Sequence, residues 1–439
     1  MTFKFNMWWD RLRTSFWFIP SMMIAVAVIS ALILPTVDKE LVASSDMTES
    51  IIYIGGASSA RSLLSTVAGA MISIAGLTFS ITVVALTLAS SQLGPRLLNN
   101  FMRDRSNQVV LGTFVSLFIY CVLVLRTVRD AGFVPHLSVT VAIVLTLISI
   151  GVLIYFFHHI ALMLQAQTVI TNIGQELEAS VKRLFPKSSI QNRYEYRLRD
   201  DADLPVNFDD QSDTVLVHRS GYLQAINYDA LVNIAIEHDA IFKCLYRAGD
   251  FIASGTVIMR VYPANVLTDD LEKAINQHLI LGVSRARLQD MEFAIAQLVE
   301  IAVRALSPGV NDPFTAIACL DQFSNTLSTL AESTITNGYY YDSSAKIRVI
   351  SDRLSFEGII NGSFNQIRQH AQTDVAVTIR MLEVIAVILA KTHTASQRDV
   401  LIKHAEMIKR GSDKVITEPN DRADIQARYD VIMKSDPPK

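Results

Sequence analysis

The stretch SLLSTVAGAMISIAGLTFSITVVALTLASSQLG, residues 62–94, contains no charged residue. Alternating steps of four and three pick out Ser62, Thr66, Gly69, Ser73, Gly76, Ser80, Val83, Thr87, Ser90 and Gly94, and only Val83 among them is neither small nor hydroxylated. The residues between are largely Leu, Ile, Val, Ala, Met and Phe. At ~1.5 Å per residue the run makes a helix roughly 50 Å long, more than the ~30 Å hydrocarbon core of a bilayer. It predicts a transmembrane helix that projects beyond the bilayer and carries one small, hydroxyl-bearing face.

Three further segments are long and apolar enough to span: 15–35, 109–125 and 137–164. Basic residues in the short flanks set the orientation. Lys4, Arg11, Arg13, Arg96, Arg103 and Arg105 lie on one side, against Lys39, Arg61, Arg126 and Arg129 on the other. The bias puts both termini in the cytoplasm. No Asp, Glu, Lys or Arg falls in the middle of a span. Ion-coupled pumps need such groups, so this counts against a pump and permits a passive path. His158 and His159 end the fourth segment. Neighbours on a helix point about 100° apart, so the two cannot face one metal and read as interfacial histidines.

The whole chain agrees with a membrane protein. Of 439 residues, half are hydrophobic, and mean hydropathy is +0.31. A net charge of -3 gives no reason to expect a nucleic-acid partner. Cys121, Cys244 and Cys319 are dispersed, which suits a reducing compartment and offers neither a disulfide framework nor a CxxC metal site.

After the spans, 165–213 reads as a connector helix to Phe185 and then an acidic linker from Pro186, with Asp200, Asp201, Asp203, Asp209, Asp210 and Asp213. Residues 214–263 change to short β-type runs broken at Ser220-Gly221, Gly249-Asp250 and Ser254-Gly255. Phrases such as GYLQAI and GDFIASGTVIMRV are similar to half-motifs of small barrel modules, including biotinyl and lipoyl carriers. The attachment lysine is absent where Asn227, Tyr228 and Asp229 stand, so the carrier role does not transfer. Residues 264–415 read as mostly helical, with a helix over 271–306 broken near Gly282, and 416–439 as a polar C-terminal tail. The expected fold is a membrane protein: a four-helix transmembrane bundle (1–164) followed by a cytoplasmic α+β domain, a small β-barrel-like module plus a helical bundle.

No Walker, GxGxxG, GxSxG, HExxH or CxxC motif occurs. No catalytic residue, cofactor or metal set is therefore expected. The most site-like polar stretch runs from Arg285 to Asp312 and holds Arg285, Arg287, Asp290, Glu292, Asn311 and Asp312. The arginines could take a phosphate or nucleotide, or the carboxylates a cation. Equally, Glu300 and Arg304 at i,i+4 make a helix-surface pair, and Asp312-Pro313 opens a helix.

The run from Ser62 through RLLNNFMRDR to Arg105, the phrase RALSPGVNDPFTAIACLDQF (304–323), and GYLQAI…RAGDF (221–251) resemble the signature of a bacterial family of predicted membrane proteins, domain of unknown function 2254. The resemblance implies a bacterial inner-membrane protein and brings no reaction or catalytic residue.

Three functions fit. The first is a homo-oligomeric channel for inorganic ions or small solutes. Ser62, Thr66, Gly69, Ser73, Gly76, Ser80, Thr87 and Ser91 would border the path, and Gly94, Pro95, Arg96, Arg103 and Arg105 would form its cytoplasmic mouth. Asp38, Glu40, Asp46 and Glu49 in the outer loop and the arginines of the inner mouth would attract opposite ions, so ion sign is not readable. The second is a membrane-tethered sensor or enzyme with its ligand site in the cytoplasmic domain. The third is an assembly partner whose small-residue face only packs.

Overall fold

In a computed structural model, residues 17–43, 53, 55–94, 104–129, 133–185, 204–286, 289–333 and 338–435 are described. The chain divides into two compact units, Met1–Thr168 and Val169–Lys439.

Four helices of the first unit are long and apolar enough to cross a membrane: α1 (Phe18–Ala43), α2 (Ala57–Leu93), α3 (Arg105–Leu125) and α4 (His136–Met163). Each agrees with an expected span. Pro20 sits in the first turn of α1, where its missing N–H costs nothing. α3 packs against both α1 and α2 and is the most buried of the four, with Phe114, Leu117, Tyr120 and Cys121 in the core. Gly112 permits the α1 contact, since a Cβ there would lie 2.6 Å from Met23 Sδ and 3.2 Å from Pro20 Cα.

Polar side chains lock both ends of this unit. Asp38, near the end of α1, is buried and accepts from Leu137 N (2.8 Å), Ser138 N (3.0 Å) and Ser138 Oγ (2.7 Å). The carboxylate thereby satisfies the first free amides of α4 and meets the positive end of its dipole. At the other end Asp104 caps α3 through Ser106 N (2.8 Å) and bonds His159 of α4. Tyr155 stacks on His159 at 5.5 Å and meets Ser106 Oγ through its hydroxyl at 3.0 Å. His159 is thus a helix-to-helix tie, a more specific role than a bare interfacial histidine.

The second unit opens with α5 (Ala166–Leu184), whose Ile170, Ile173, Leu177 and Val181 form one buried stripe. Of the expected linker, 186–203 lies outside the described residues. Its last part folds back, and Phe208 stacks on Tyr262 at 5.5 Å.

Among the described residues eight strands follow: β1 (Asp213–Leu216), β2 (Gly221–Ile226), β3 (Ile241–Cys244), β4 (Phe251–Ile252), β5 (Val257–Tyr262), β6 (Leu279–Gly282), β7 (Tyr339–Tyr341) and β8 (Ile347–Ile350). They form a five-stranded sheet, β1-β5-β3-β8-β7, and a three-stranded sheet, β4-β2-β6. All pairs are antiparallel except β3 with β8. Val217, Leu223, Phe242, Ile252, Met259 and Leu281 from both sheets share one core. This corrects the expected module. Among the described residues no closed barrel forms, and 214–263 is completed by strands from far later in the chain. β6 falls at the break expected near Gly282 and makes it a strand, which Leu279–Leu281 is too short a run for periodicity to tell from helix.

Helices make up the rest: α6 (Tyr228–Glu237), α7 (Asp269–Gln277), α8 (Met291–Ala305), α9 (Pro313–Ala331), α10 (Phe356–His370), α11 (Val375–Leu389), α12 (Ala395–Ser412) and α13 (Pro419–Met433). α13 lies in the expected polar tail. It packs on α11 and α12 and buries only Ile425 and Ile432, seven residues apart, too sparse a pattern to announce an amphipathic helix.

His404 of α12 is fully buried, and its Nε2 lies 2.9 Å from Asn361 Oδ1. Burial, then the charges of Arg368 and Lys403, lower its pKa from 6.5 to about 4. The unfolded chain therefore binds more protons than the fold between those values. Stability is complete above about pH 6.5 and falls as pH drops toward 4, by on the order of 3 kcal/mol. Urea melts of wild type and His404→Gln at pH 7 and pH 4.5 should show the acid loss shrinking in the variant.

Candidate functional site

The small-residue face of α2 follows from helix geometry. Residues spaced by four and three fall on one side, and Ala60, Leu64, Ala68, Met71, Ala75, Thr78, Ala85 and Ala89 fall on the other. This second set is buried, and α2 turns it toward α3 and α4. Ser62, Thr66, Gly69, Ser73, Gly76, Ser80, Thr87 and Ser91 are all exposed. A Cβ built on Gly69 or Gly76 would meet nothing within 4 Å. Packing inside the first unit is therefore the work of the alanine-rich face, and the glycine-and-hydroxyl face looks outward.

Its hydroxyls are satisfied within the helix. Ser73 Oγ donates to Gly69 O (2.8 Å), Ser80 Oγ to Gly76 O (2.9 Å) and Thr87 Oγ1 to Val83 O (3.0 Å). Their lone pairs remain available outward, so the face can accept hydrogen bonds without carrying charge. Gly94 ends the helix at φ +113°, which favours glycine, and its N–H bonds Ser90 O at 3.2 Å. Of the expected mouth, Pro95, Arg96 and Arg103 lie outside the described residues, and Arg105 is the exposed first residue of α3.

The polar stretch of the second unit does gather, with partners that sequence spacing did not reveal. Arg285 clamps the buried Asp290 through Nε to Oδ2 (2.6 Å) and Nη2 to Oδ1 (2.7 Å). Asp290 also caps α8 at Phe293 N (3.0 Å). Arg247 bridges Glu292 (3.1 Å) and Asp352 (3.0 Å). Gly249, at φ +107°, brings its backbone so close that a Cβ would lie 2.7 Å from Asp290 Oδ2. Burial alone would lower the Arg285 pKa, but the hydrogen bonds and charge of Asp290, then Glu292 and Asp250, hold it above the ordinary arginine value. The cluster is a clasp of mutually paired charges.

Arg287 lies outside the described residues. Asn311, at φ +50°, turns the chain into α9, which Asp312 caps through Thr315 N (3.2 Å). Neither joins the clasp. Among the described residues no group of three or more His, Cys, Asp or Glu is placed to hold a metal ion.

A family model described as "Predicted membrane protein (DUF2254)" matches residues 13–387, and the chain belongs to that family. It is 28% identical over 422 residues to uncharacterized proteins of Mycobacterium tuberculosis (strain ATCC 25618 / H37Rv) and Mycobacterium bovis (strain ATCC BAA-935 / AF2122/97), covering 94% of this chain and 79% of each relative. No solved structure matches.

If the clasp is structural, Arg285→Ala should strand a buried carboxylate and cost about 3 kcal/mol. Asp312→Ala should cost about 1 kcal/mol as a lost helix cap. Thermal melts of the full chain in detergent should show both losses, unchanged by added phosphate or nucleotide. A ligand-induced stabilisation that vanishes in Arg285→Ala would make the clasp a binding site instead.

Proposed function

We propose that the protein is a homo-oligomeric channel or pore of the bacterial inner membrane, with both termini cytoplasmic. In each copy the outward face of α2 borders the path, and the second unit regulates it. One observation carries the reading: the face of Gly69, Ser73, Gly76 and Ser80 turns away from the other three spans and leaves open space beside both glycines. Small residues on a lipid-facing helix allow close backbone approach by another helix. Hydroxyl rings and apolar constrictions set permeability without formal charge. The uncharged middles of the spans suit a passive route for inorganic ions or small solutes.

A second reading has its own support. Because Ser73 and Ser80 donate to their own helix, the face also suits an assembly contact that conducts nothing. A ligand site in the second unit is less favoured, since Arg285, Asp290 and Glu292 are engaged in ion pairs.

Reconstitution in liposomes separates these readings. A channel passes ions, and Ser73→Ala or Ser80→Ala changes conductance while the oligomer persists. Gly76→Leu breaks the oligomer and the flux together. Intact oligomers without flux at any potential leave the assembly reading, and a monomer in lipid contradicts both.

A further inference from the structure

On the packed side of α2 lies an unsatisfied amide. Asn107, in the first turn of α3, is only 6% exposed. Among the described residues no donor reaches its Oδ1. It borders a cavity of about 10 Å³ together with Thr78 and Thr82 of α2, Val110 and Leu111 of α3 and Phe156 of α4. That space is of the order of one water molecule. A buried amide oxygen without a partner is costly, so the chemistry of the cavity is set by what it must supply to Asn107.

The threonine hydroxyls narrow the choice. Thr82 Oγ1 donates to Thr78 O at 2.8 Å, and Thr78 Oγ1 donates to Ala75 O at 2.9 Å. Each has used its one hydrogen and keeps lone pairs to offer. Asn107 Oδ1 is an acceptor as well. The occupant must therefore give hydrogens to two oxygens or be a cation. None of the lining residues is charged, and an unpaired ion in an apolar interior costs far more than a neutral donor.

We infer that this cavity binds a single water, which donates to Asn107 Oδ1 and to a threonine hydroxyl oxygen and so bridges α2 to α3. The site belongs to the packed face of α2 and is independent of what the outward face does. It makes one point of the α2–α3 contact polar and exchangeable, where Ala68 and Ala75 make it dry.

Radiolytic hydroxyl labelling of the full chain in lipid nanodiscs tests this, because a trapped water generates radicals beside its neighbours. Phe156 and Phe114 are both buried in the first unit, but only Phe156 borders the cavity. Wild type should label Phe156 and spare Phe114. Asn107→Leu, which fills the space, and Thr82→Val, which keeps the shape and removes an acceptor, should each reduce Phe156 labelling to the Phe114 level. Phe156 no more labelled than Phe114 in wild type would overturn the inference, as would labelling retained in both variants. Labelling that rises when sodium and potassium are replaced by N-methylglucamine would show a cation in the site and overturn the water assignment.

Discussion

The first unit depends on the close approach of α2 to α3. Ala60, Ala68 and Ala75 give α2 a smooth face, and α3 answers with the buried side chains of Val110, Phe114, Leu117 and Cys121. Hydrocarbon offers no hydrophobic drive for helices to associate, so contact relies on shape and on polar groups at selected points. Once the alanine face is committed inward, the glycine-and-hydroxyl face has to look outward. The orientation of a single helix thus decides which surface the first unit offers to its surroundings.

Other polar groups tie together the three helices beside it. Asp38 ties α1 to the start of α4, and Asp104 with His159 ties the start of α3 to the end of α4. The second unit uses the same device with charges. Arg285, Asp290, Arg247, Glu292 and Asp352 join the turn after β3, the start of α8 and the loop after β8. These buried groups are tolerated because their partners satisfy them.

How much of this the sequence discloses depends on the range of the interaction. Four spans are legible because hydrocarbon demands long uncharged runs. α9 is legible because Asp312-Pro313 marks its start locally. The outward turn of the small-residue face is not, since both faces of α2 are uncharged and periodicity alone does not say which one is buried. Asp38 meets residues about 100 positions later, and Arg247 meets Asp352 at a separation of 105, beyond any local pattern. The barrel expectation fails for the same reason, as β8 joins β3 from more than a hundred residues away.

On the proposed function, the open face of α2 meets the same face of another copy. Single cysteines placed along α2, in a background with Cys121, Cys244 and Cys319 replaced by serine, read this directly by oxidative cross-linking in native membranes. Disulfide dimers should form at positions 66, 69, 73, 76 and 80, and none at the inward positions 68, 71 and 75. No cross-link on the open face, or cross-links spread evenly around the helix, would contradict it.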